Sequence, residues 1–176
     1  MKCVQKVKNT NFFSKSKAER FHEPVGRDTR VLISITTPSI PDSFSASCAP
    51  AVIHPDTWKA ILRLEFDDAD PLHMNSSIID QYTLFDEDDA VDILKFLKKY
   101  QDDTVDALVH CEAGISRSAA VAKFIAYIYN LRFPEKYSIY NKHVFSTLLR
   151  VYGESLYGEG LIPVDNLPGI KEIHND

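Results

Sequence analysis

The chain has 176 residues, 44% of them hydrophobic and 26% charged, proportions that suit one domain over 1–176 with a sizeable core. Twenty Lys and Arg against 25 Asp and Glu give a net charge of −5 at pH 7, which excludes the broad basic footprint of a nucleic-acid binder and any general attraction to acidic membranes. The three cysteines, Cys3, Cys48 and Cys111, are too few and too widely spaced for a disulfide framework or a zinc pattern, and they fit a reducing compartment.

The opening MKCVQKVKNTNFF lacks the apolar core of a secretion signal, and the longest apolar run, Ala119 to Leu131, is short and interrupted by Lys123. A soluble, cytoplasmic protein is the expectation. Cys3 to Val7 alternates apolar and polar residues as a short strand does. Ser14 to Phe21 has the pattern of a helix capped by Ser14 or Ser16, with Glu19 behind. Val31 to Ile35, after a turn-prone GRDTR and before Thr-Thr-Pro, predicts a buried strand. Pro38 to Pro55 is rich in Pro, Ser and Ala without a period and is expected to be a loop. Within it Cys48 is a candidate disulfide partner of Cys111 under oxidising conditions, or an ordinary loop thiol. Ala60 to Phe66 predicts the next strand. It ends in Asp67, Asp68 and Asp70, at the strand end where parallel α/β sheets place their chemistry, although a solvated turn has the same composition. Pro71 to Leu84 has the look of an insertion.

Asp86 to Tyr100 carries a helix's start and period, with Asp86 as N-cap, acids at Glu87, Asp88 and Asp89 in the first turn, and Ala90, Ile93, Leu94, Leu97 and Tyr100 on one face. After a strand-like run from Ala107 to Val109 comes the loop His110, Cys111, Glu112, Ala113, Gly114, Ile115, Ser116, Arg117, Ser118. Ser116 to Asn130 is then apolar nearly all round, as in a buried helix. Asn141 to Val151 predicts another amphipathic helix, with His143 expected as an ordinary core histidine. From Gly153 onward, glycines and prolines predict an extended or partly disordered tail over 153–176. The alternation of strands and helices implies a parallel or mixed sheet covered by helices.

The loop from Cys111 to Arg117 has the composition of an anion cradle. A tight turn of this length points successive backbone N–H groups at one centre, and Gly114 supplies the unusual dihedral such a turn needs. The planar fork of Arg117 matches two oxygens of a phosphoryl group. The same donors, with the helix dipole behind them, favour the Cys111 thiolate, and a Ser118 hydroxyl can donate to that sulfur.

HCEAGISRS resembles the HCxxGxxRS loop of the cysteine-dependent protein phosphatases, the tyrosine and dual-specificity family. The resemblance implies a tyrosine-phosphatase-like α/β fold with a central, mostly parallel sheet. It implies Cys111 as nucleophile, Arg117 as phosphate ligand, the amides of Glu112, Ala113, Gly114, Ile115, Ser116 and Arg117 as the cradle, and His110 tuning the cysteine from behind. It also implies a general acid on the loop after a strand, which makes Asp68 the first candidate, Asp67 the second and Asp70 the third. The separation of 43 residues from Asp68 to Cys111 is longer than the family's usual spacing, and it leaves Asp80 as an outside candidate. No cofactor or metal is required, because the cradle supplies the positive field. The expected partner is a phosphorylated protein. Glu112 and Ile115 put no basic residue between Cys111 and Arg117, which favours phosphotyrosine or dual specificity over phosphoinositides. Two other readings stand beside this one, a phosphate-binding module without turnover (a pseudophosphatase) and an RNA 5′-phosphatase.

Overall fold

The computed structural model describes residues 7–21, 27–38, 48–100 and 105–158. Its centre is a four-stranded sheet in the order β1-β4-β2-β3, from β1 (Val7–Ser14), β2 (Arg30–Thr36), β3 (Ala60–Glu65) and β4 (Val105–Cys111). All three pairings are parallel, so every strand opens its carboxyl end at the same edge. The helices are α1 (Lys15–Glu19), α2 (Ser76–Ile79), α3 (Glu87–Lys99), α4 (Arg117–Ile128) and α5 (Lys142–Gly158). This is the α/β class expected from the sequence, a central parallel sheet flanked by helices.

Strand alternation sorts the core into two layers. On one face Val31, Ile33 and Ile35 of β2 and Val105, Ala107, Val109 and Cys111 of β4 pack with α3, α4 and α5. On the other, Leu32 joins Phe13, Ala18, Ala51, Ile53 and Trp58, so that α1 and the chain before β3 form the cover. In α4 the fully buried Ala119, Ala120 and Ala122 let the helix lie close to the sheet. Lys123 escapes burial of its charge by resting 3.8 Å over the Tyr140 ring. Asp86 and Asp89 form a capping box at the start of α3, whose inner face buries Ala90, Ile93 and Leu97.

Three expectations differ from the structure. The first strand is Val7–Ser14 instead of Cys3 to Val7, of which residues 3–6 lie outside the described residues. It is an edge strand whose Lys8, Asn9 and Asn11 side chains face solvent, and its order comes from pairing with β4. The helix expected from Ser14 shortens to Lys15–Glu19, with Ser14 as its cap, accepting from the Lys17 amide. The last helix does not stop before Gly153 but runs to Gly158. Gly153 is buried in its interior. Tyr152 packs edge-on against Phe124, and Arg150 bridges Glu154 and Glu87, so packing overrides the glycine's poor propensity. Most of the Pro38 to Pro55 loop and the tail beyond 158 also lie outside the described residues. The 67–83 excursion holds the short α2 and is closed at its base, where the Asp67 amide donates to the Thr83 carbonyl (2.7 Å) and the Thr83 amide to the Asp67 carboxylate (2.9 Å).

Candidate active site

β4 ends on His110 and Cys111, and alternation sends the two side chains to opposite faces of the sheet. On the α1 face His110 is fully buried and its Nε2 shares a 2.8 Å hydrogen bond with Ser34 Oγ of β2. Burial lowers its pKa from 6.5 to about 4, so the ring is neutral at pH 7. On the other face Cys111 Sγ lies 3.1 Å from Ser118 Oγ, in the first turn of α4, with only 1% of the residue exposed. The sulfur therefore lies at the positive end of a 12-residue helix.

Between sulfur and helix the chain turns through Gly114 at φ +70°. A Cβ built there would fall 2.2 Å from both the Phe13 carbonyl carbon and the Ser14 nitrogen, so the close approach to the end of β1, as well as the dihedral, requires glycine. The same junction is tied by the Lys15 amide, which donates to the Glu112 carbonyl (3.2 Å), and by the Lys15 ammonium 3.7 Å from the Glu112 carboxylate. The end of β1, which sequence patterning misplaces, is thus the floor on which the loop rests.

Arg117 opens α4 and is 96% buried; its Nη1 donates to the Phe66 carbonyl just after β3 at 2.6 Å, while its Nε is buried without a protein partner. A buried donor of a charged group left unmatched is costly. An anion at the loop would satisfy it.

The acidic cluster separates by position. Asp68 Oδ1 accepts two bonds, from Ser116 Oγ of the loop (2.8 Å) and from Asn141 Nδ2 just before α5 (2.9 Å). Asp67 is engaged by Thr83, Asp70 accepts from the Leu72 amide and contacts His73, and Asp80 ends α2. The structure therefore brings Asp68 to the loop and has Asp67 and Asp70 holding the excursion, while Asp80 lies exposed at the end of α2. Ser116 gives α4 no side-chain cap, because its hydroxyl is directed at Asp68.

Sequence reasoning missed three neighbours of the loop. Asn141 precedes a helical run and is legible as a cap, but its reach to Asp68 is not. Ser34 is a lone polar residue in an apolar strand. Tyr137 donates from its hydroxyl to the Ile115 carbonyl (2.6 Å) and packs with Phe12 and Phe133. Its pKa is raised, first by burial and then by its electrostatic interaction with Cys111. His143, expected in the core, contacts the Phe85 carbonyl.

No family model matches the sequence, and no curated protein matches it. Among solved structures, one similar chain is described as a "mouse putative dual specificity phosphatase complexed with zinc tungstate", with 14% identity, 86% of each chain covered and a TM-score of 0.44.

Proposed function

We propose that this chain is a phosphate monoester hydrolase of the cysteine-dependent type, acting on phosphoproteins with phosphotyrosine or dual specificity. One observation carries the reading: a buried thiol at the N-terminal end of α4 shares its loop with a buried arginine whose Nε lacks a partner. Amides, helix dipole and guanidinium together supply the positive field for a dianion beside a nucleophile.

In this mechanism the Cys111 thiolate attacks phosphorus as the ester oxygen leaves, forming the S–P bond and breaking the P–O bond. Arg117 and the loop amides hold the equatorial oxygens. Asp68 has two donors on Oδ1, so Oδ2 is the oxygen on which its proton sits, and that proton passes to the leaving alkoxide or phenoxide. Water then attacks the thiophosphate, giving a proton back to Asp68 while the sulfur leaves as thiolate, with the Ser118 hydroxyl donating to it. His110, neutral behind the thiol, adds no positive charge and fixes the strand end through Ser34. The burial of Cys111 favours phosphate on a long, flat side chain such as tyrosine. The exposed Ile115 offers an apolar rim and no cation for a polyphosphorylated headgroup.

The test is turnover of an aryl phosphate under reducing conditions, followed by a phosphopeptide panel. The wild-type chain is expected to hydrolyse the ester. Cys111→Ser should abolish turnover while still binding phosphate, because a serine hydroxyl in this field is not ionised. Activity within about tenfold of wild type in that variant would remove Cys111 from the role; general-base and nucleophile losses are ordinarily far larger. Phosphate binding with no turnover by the wild type would make the chain a phosphate-binding module.

A further inference from the structure

Asn141 joins three separate parts of the chain at one buried side chain. It is 5% exposed. Its amide nitrogen Nδ2 donates to Asp68 Oδ1 (2.9 Å) and to the Ala69 carbonyl (3.1 Å), both on the excursion after β3. Its side-chain oxygen accepts from the Val144 amide (3.0 Å), which is the capping bond of α5. Its own backbone N–H donates to the Ser116 carbonyl in the anion loop (3.3 Å). Every hydrogen-bonding group this side chain owns is committed, two donor bonds to one loop and one acceptor bond to the helix.

An exposed carboxylate on a loop whose closing bonds join Asp67 to Thr83, 16 positions apart, would sample many orientations if nothing held it. Two donors meeting at one carboxylate oxygen remove that freedom, and they come from two separate segments, Ser116 from the anion loop and Asn141 from the N-cap of α5. Ser116 alone cannot fix the plane of the carboxyl group. The Asn141 bond to the neighbouring Ala69 carbonyl adds the second point that orients the backbone beneath it. Resting on the hydrolase reading above, we infer that Asn141 is a positioning residue. It fixes the Asp68 carboxyl group with Oδ2 toward the leaving oxygen and couples the acid loop to the anion loop.

Asn141→Ser is the informative variant, because serine is as good an N-cap as asparagine and keeps α5, yet is too short to reach Asp68. The readout is kcat on two esters, an activated aryl phosphate and an alkyl phosphate or phosphotyrosine with a poor leaving group. The substitution should slow the poor-leaving-group ester about 10- to 100-fold more than the activated one, as misplacement of a reacting group does. The fall in kcat on the basic side should lose steepness. In an Asp68→Asn background the same substitution should add no further loss, since it acts through a carboxyl group no longer there. Equal slowing of both esters, no slowing, or full additivity with Asp68→Asn would overturn the inference while leaving the hydrolase reading intact. A wild-type chain inert toward both esters would overturn that reading and the inference with it.

Discussion

Asp68 is an exposed carboxylate with both donors on one oxygen, and under the proposed mechanism its value depends on how badly the ester oxygen needs a proton. A phenolate made acidic by its substituents leaves unaided, whereas an alkoxide or tyrosinate does not, and a general acid ordinarily contributes about 10² to 10⁴ in rate. Asp68→Asn is therefore expected to slow phosphotyrosine hydrolysis by roughly that factor while slowing an activated aryl ester far less. It should also flatten the basic limb of the kcat profile, which requires the acid protonated. Steady-state rates on both esters between pH 5 and 8 check this. An unchanged leaving-group dependence would pass the role to another group; Asp67 and Asp70 have little claim to it, since each is engaged in holding the excursion, which leaves the exposed Asp80 to be tested next. At the same scale Gly114 shows why one residue type is demanded by two independent constraints. Its φ of +70° is open to a few other residues, but the 2.2 Å approach to the β1 backbone is open to none.

At the scale of elements, α3 contains a charge that works against its own fold. Asp89 closes the capping box by accepting from the Asp86 amide (3.2 Å), yet burial, and then the like charges of Asp86, Asp92 and Asp88, raise its pKa from 3.8 to about 6. A group whose pKa is raised on folding contributes stability that is fully present below about 3.8 and is lost as pH rises through about 6. At pH 7 the charged form is a burden. Asp89→Asn keeps an acceptor oxygen for Asp86 and removes the charge, so its melting temperature should exceed wild type at pH 7 and approach it near pH 4. The gain should be less than about 1 kcal/mol, because the half-exposed carboxylate is screened. Thermal unfolding of both proteins at the two pH values measures the difference, and a gain equal at both would assign it to something other than titration. This helix was also the element most legible in the sequence, because DEDD followed by apolar residues at 3.6-residue spacing states both its start and its inner face. The turn between β4 and α4 was equally legible for a related reason, since residues 110–118 lie contiguously between a strand-like and a helix-like run. β1 was not, since Lys8, Asn9 and Asn11 face solvent and only its parallel partner β4 makes it a strand. The bond from Asn141 to Asp68 was not either, since it spans 73 residues of sequence and no local pattern encodes it.

For the whole molecule, an all-parallel sheet collects the ends of its strands at one edge, and the candidate site draws on all four. β1 supplies the floor under Gly114, β2 the partner of His110, the residue just after β3 the Phe66 carbonyl that holds Arg117, and β4 the thiol. The chain as a whole carries a net charge of −5, so under the proposed function long-range attraction would not bring a dianion here, and binding would depend on the donors that the folded edge assembles. Those donors are scattered in the unfolded chain, which gives an oxyanion no comparable site. Linkage then requires that the anion stabilise the fold. Phosphate or tungstate at about 100 times its dissociation constant should add about 2.7 kcal/mol to unfolding, a rise in melting temperature of roughly 5 to 11 °C for a domain of this size. Arg117→Ala should lose most of that rise, since it removes a charged donor from the proposed cradle, although the loop amides and the helix dipole remain. Both proteins should be titrated by thermal unfolding at one ionic strength with sulfate-free buffer, so that general salt effects cancel in the comparison. A rise that is equal in the two proteins would place the anion away from Arg117, and the unmatched Nε would then need a different explanation.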